Sequence, residues 1–103
     1  MVHRASERRA HCLELLKAGI AAADPAAAVK KHVLADAGKL CLGLDSDNSA
    51  LRCGDWQSIH ILAFGKAACA MAEAGRQSIP AQRLALPGLI VTTEENARPL
   101  EGF

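Results

Sequence analysis

The sequence predicts an α/β fold: the N-terminal part of a Rossmann-like, parallel-sheet domain, with two leading helices and then a strand–helix–strand unit. Three observations carry this. An apolar run from Ser58 to Phe64 stops at Gly65. A helix-forming stretch rich in small residues follows, from Lys66 to about Ser78, and Pro80 closes it. A second apolar run, Leu86 to Thr93, comes next, with Leu89, Ile90 and Val91 at its centre. Strand, helix and strand at this spacing form a right-handed crossover in nearly every known case.

The first helix spans Arg4 to Ala23, because Cys12, Leu16 and Ile20 recur every fourth position with Leu13 beside them. Asp24-Pro25 ends it and starts another. Asp24 can cap the new helix, and Pro25 suits its first position, where no N–H is needed. This second helix is expected to run to about Ala37, burying Val29, Val33 and Ala37, with Gly38 as its stop. Asp45-Ser46-Asp47-Asn48-Ser49 reads as a turn or exposed loop, and Ala50 to Cys53 as a short strand. Asp45, Asp47 and Asn48 start like a calcium loop, but its glycine and distal glutamate are missing. In the Ser58–Phe64 strand, Ile59, Ile61 and Ala63 face one way and His60, Leu62 and Phe64 the other. Both faces are mostly apolar, as in a parallel strand covered on both sides.

Several function classes are excluded or disfavoured by composition. The formal net charge is +1, without the basic face that nucleic-acid binding needs. No apolar run approaches the roughly 20 residues of a membrane span, and the basic start from His3 to Arg9 is not followed by a secretory apolar segment. A cytoplasmic location is expected. Cys12, Cys41, Cys53 and Cys69 make no C-x-x-C pair, so buried free thiols are expected rather than a metal site with His11 or His60. Half the residues are apolar and 22% are charged, a globular composition, but aromatics are only 3% and alanine dominates. Each buried side chain therefore removes little area from water.

Ligands in open α/β sheets bind beyond the carboxyl ends of the strands. Phe64-Gly65-Lys66 occupies one such end and Thr92-Thr93-Glu94 the next. The helix starting near Lys66 offers unpaired N–H groups and a partial positive charge. Gly65 lets a ligand approach the backbone. A cation at this helix end is disfavoured by roughly 0.3–1 kcal/mol, a cost that makes sense if an anion arrives to neutralise it. A Walker A loop is ruled out, since the earlier glycine and the Ser/Thr after the lysine are absent. An exposed lysine at a helix start and an anion-binding lysine both fit the residues alone.

The stretch from Ile59 to Ala72, Ile-His-Ile-Leu-Ala-Phe-Gly-Lys-Ala-Ala-Cys-Ala-Met-Ala, resembles the N-terminal region of glycerate 2-kinases, the MOFRL-associated family formerly labelled hydroxypyruvate reductases. The junction from Ile20 to Pro25 and the strand Gly88 to Thr93 fall at matching places. The resemblance covers nearly all of this chain but only about the first quarter of such an enzyme. It implies phosphoryl transfer from ATP to a hydroxyl of D-glycerate with magnesium, in a cleft between two α/β domains. It implies a catalytic role for Lys66 and substrate or phosphate binding by Gly65, Lys66 and Ala67; no residue is implied as a metal ligand. The family's His-Pro-x-Pro-Asp and Ser-Gly-Gly-Gly-Ser segments have no counterpart in residues 1–103. The chain is therefore expected to be an N-terminal fragment, inactive alone and prone to self-association through unpaired sheet edges.

Two other readings stand beside this one. A sugar-phosphate isomerase-type binding domain also uses an apolar strand, a Gly-Lys turn and a helix, but Ala67 stands where such domains carry serine. A truncated gene would give a non-catalytic product. Glu94 and Glu95 are either solvated loop acids or magnesium ligands. His60 reads as a core or edge histidine, His3, His11 and His32 as solvated, Trp56 as packing, and Lys30-Lys31-His32 as a wet helix face.

Overall fold

The computed structural model describes residues 2–36 and 38–103, apart from the side chains of Val2, His3 and Asp36. The fold class is as predicted, mixed α/β with a parallel strand–helix–strand unit. Helix α1, Val2–Ala22, carries the Cys12, Leu16 and Ile20 row, yet residues 4–24 are all exposed. Ile20 is 64% exposed. The predicted periodicity makes the helix but nothing among the described residues covers its apolar stripe. The expected side chain of His3 lies outside the described residues.

Helix α2, Pro25–His32, starts as the sequence requires. The Asp24 carboxylate accepts the Ala27 N–H at 2.9 Å, and Pro25 sits at the first position. Lys30, Lys31 and His32 fill its last turn, where the helix dipole favours cations. The helix stops there, about five residues short of the expected end. Val33–Asp36 is instead strand β1, paired antiparallel with β2, Lys39–Gly43. The physical reason is the hairpin: Asp36 faces Lys39, and Gly38, at φ +80°, supplies the turn where the helix stop was expected. Ala37, predicted as a buried helical residue, lies outside the described residues. Strand β3, Leu51–Gly54, pairs antiparallel with β2 and matches the short strand expected at 50–53.

The loop between β2 and β3 is tied by its own side chains. The Asp45 carboxylate accepts the Ser49 hydroxyl and the Ala50 N–H, and Asp47 accepts the Ser49 N–H. The Ser49 hydroxyl is the main cause that holds the Asp45 carboxyl below its ordinary value. Asn48 Nδ2 donates to the Lys31 carbonyl at 2.9 Å, and Asn48 Oδ1 lies 3.0 Å from His32 Nδ1. His32 is thus half-buried in a bridge between loop and helix, not solvated as expected.

The cysteine expectation also needs correction. Cys41 and Cys53 face each other across β2 and β3 and form a disulfide. Their separation in sequence hid a pairing that only the hairpin register creates. Cys12 is a free, exposed thiol, because nothing among the described residues covers α1; Cys69 is free and buried, as expected.

Strands β4, Leu62–Phe64, and β5, Leu89–Val91, pair in parallel, with Ala63 opposite Ile90, and an isolated bridge joins Ile59 to Leu84. Helix α3, Ala68–Ser78, connects them. Ile59, Ile61 and Ala63 are half-buried on the face that α3 covers. His60, Leu62 and Phe64 are exposed, Phe64 at 76%. The sequence read both faces as covered; here only one is, so the outer apolar row meets solvent.

The core sits where α2, α3 and the strands meet. Its buried apolar residues are Leu40, Ala68, Cys69, Ala72 and Ala74, nearly all small. The radius of gyration is 18.1 Å, against about 13 Å for a compact domain of 100 residues. Ala68 and Ala72 are each only 1% exposed. Ala72→Leu is expected to destabilise the chain by about 1–3 kcal/mol through overpacking, read as a lower urea midpoint at unchanged slope.

Candidate anion site at the turn before α3

The parallel pair brings the carboxyl ends of β4 and β5 side by side, and the chain must turn there to enter α3. Gly65 makes that turn at φ +108°, a conformation that glycine adopts without strain. A Cβ there would meet nothing within 4 Å, so conformation rather than space selects glycine. The Gly65 N–H donates to the Val91 carbonyl at 3.0 Å, and the Thr92 hydroxyl donates to the Gly65 carbonyl at 2.7 Å. The same carbonyl accepts the Ala68 N–H at 3.3 Å. The two successive peptide units that flank the Gly65 Cα are therefore both bound to the end of β5.

Helix α3 begins at Ala68 rather than at Lys66, with Ala67 as N-cap and no side-chain cap. The N–H groups of Lys66 and Ala67 find no acceptor among the described residues. They add to the partial positive charge of the helix end. Lys66 is exposed and forms no ion pair among the described residues. Gly65, Lys66 and Ala67 thus lie together as predicted, on one turn with open access from solvent.

The second turn is built in a related way. Asn96 Nδ2 donates to the Thr93 hydroxyl at 2.7 Å, and the Cys69 thiol contacts the Asn96 carbonyl at 3.4 Å. This ties the short helical turn Glu94–Asn96 to the first turn of α3. Glu94 and Glu95 are exposed. No group of three His, Cys, Asp or Glu side chains able to hold a metal occurs among the described residues. An open groove beside the second turn, about 300 Å³, is lined by Cys69, Ile90, Thr92, Arg98 and Phe103. Arg98 is held at its rim by Glu73 at 3.1 Å. Lys66 is not part of this groove.

Other predicted residues lie elsewhere. His60 is exposed beside β4, and His11 is exposed on α1. Trp56 folds its ring over Gly54, and its carbonyl accepts Arg83 Nη1 at 3.2 Å, a packing role as expected. Sequence reasoning placed Thr92 at the strand end without a role. The signal for one was the hydroxyl itself, two residues past the strand centre.

No helix among the described residues is long and apolar enough to cross a membrane. The sequence matches the family described as Domain of unknown function (DUF4147) over residues 11–103. No curated protein and no solved structure matches it.

Proposed function

From the fact that this chain belongs to the DUF4147 family, we propose that it is the N-terminal segment of a kinase that transfers phosphate from ATP to a hydroxyl of D-glycerate. Support comes from the strand–turn–helix resemblance to glycerate 2-kinases around Lys66. The observation that carries the reading is the clamped Gly65 turn, which sets an unpaired lysine and two unpaired N–H groups at the strand ends. That chemistry suits an oxyanion: the carboxylate of D-glycerate or a phosphate of ATP. Lys66 would hold the anion's charge, and the Lys66 and Ala67 N–H groups would orient it. Magnesium would neutralise phosphate charge in such a reaction, and no step here depends on it.

The sugar-phosphate isomerase-type alternative rests on the same turn, and Ala67 disfavours it. A non-catalytic state of the chain on its own is favoured by a specific observation, the bare outer face of β4 and β5. Phosphoryl transfer needs a site that excludes water, and this one lies open. The exposed edge and face of that sheet also make self-association the expected solution state.

The experiment is an ADP-release assay with ATP, magnesium and D-glycerate, run together with sedimentation. The purified 103-residue chain is expected to give no turnover and a mass that rises with concentration. Turnover by a monomer, abolished by Lys66→Ala, would contradict the inactive-alone reading.

A further inference from the structure

We propose that Thr92 is a positioning residue for Lys66; this rests on the anion-site reading above and deepens it. Its hydroxyl donates to the Gly65 carbonyl at 2.7 Å, across 27 residues of sequence. The Gly65 N–H is held by the neighbouring Val91 carbonyl at 3.0 Å. Successive residues of one strand end therefore grip the two peptide units on either side of the Gly65 Cα. Glycine is free to rotate about φ, so the turn has no intrinsic reason to stay at +108°. The backbone bond to Val91 fixes the peptide unit before the Gly65 Cα. Only the Thr92 hydroxyl, from a side chain, fixes the carbonyl from across the sheet.

The consequence is directional. The Gly65 carbonyl belongs to the peptide unit that carries the Lys66 N–H. Fixing that carbonyl aims the Lys66 N–H and the start of the lysine side chain. The neighbouring Thr93 does different work, accepting Asn96 Nδ2 and shaping the second turn. Thr92 does not face the proposed anion as a ligand. It orients the groups that do.

Thr92→Val keeps the shape and removes the donor; Thr92→Ser keeps the donor. Amide hydrogen exchange on the full 103-residue chain is the first readout. Loss of one hydrogen bond should speed exchange at the Gly65 and Ala68 amides by about 2–10-fold in Thr92→Val. Thr92→Ser should restore it, and the Leu89 amide, bonded to the Ile61 carbonyl, should be unchanged in both. Equal acceleration at Leu89, or no rescue by serine, would overturn the proposal, since either marks a general loosening.

The second readout is binding of inorganic phosphate, followed by the amide shifts of Lys66 and Ala67. Thr92→Val should weaken it by a similar factor and Thr92→Ser should not. Equal binding by the valine variant and the unsubstituted chain would overturn the positioning role. If the unsubstituted chain binds no phosphate, the anion-site reading fails, and the exchange result then decides the positioning of the turn by itself.

Discussion

Lys66→Ala is expected to lower kcat by about 10²–10³-fold in a chimera where residues 11–103 replace the matching segment of a glycerate 2-kinase. The size follows from what phosphoryl transfer asks of a protein. Positioning and charge neutralisation carry most of the reaction, and a preorganised cation in a closed site counts for far more than one in water. Lys66 follows a glycine whose flanking peptide units are both held by β5, so its charge needs little reorganisation. Lys66→Arg should recover part of the rate, because it restores charge but not the compact ammonium shape. The measurement is steady-state ADP release at saturating ATP, with circular dichroism as a folding control. A loss below about threefold would mean that the lysine is only a solvated residue at a helix start.

The second large effect concerns stability. Cys41→Ser is expected to cost about 2–4 kcal/mol, the range for closing a loop of this length. The disulfide joins strands β2 and β3 across a sequence separation of 12. Leu40 is the one buried apolar residue of that sheet among those described, and β3 has exposed residues at 51–53. The loss should appear as a fall in the urea midpoint, and the unsubstituted chain should fall by a similar amount in excess dithiothreitol. Thiol counting checks the same bond. Without reductant, one thiol, Cys12, should react quickly and Cys69 only on unfolding. Four rapidly reactive thiols in the folded, unreduced chain would contradict the disulfide.

The parts of the fold written in local chemistry were legible from the sequence. Asp24-Pro25 marked the start of α2 through a cap and a missing N–H, and both are observed. Gly65 marked the end of β4, and the apolar alternation gave the two faces of that strand correctly. What was illegible depended on partners distant in the chain. Val33 and Leu34 continue the helical pattern of α2 and become a strand only because β2 returns to pair with them. The Cys41–Cys53 bond exists only in that register. The exposure of α1 was hidden for the opposite reason: periodicity reports which face is apolar, not whether anything covers it. At the candidate site, Gly65, Lys66 and Ala67 were legible as a turn, while the Thr92 clamp required knowing that β5 lies beside β4.

The central claim is that the Gly65–Lys66 turn receives an anion. Amide shifts of the nitrogen-15-labelled chain during titration with inorganic phosphate at constant ionic strength test it most directly. Saturable shifts centred on Gly65, Lys66, Ala67 and Ala68, weakened several-fold in Lys66→Ala, are the expected result. Shifts that do not saturate, that spread evenly over the lysines and arginines, or that persist unchanged in Lys66→Ala would contradict it.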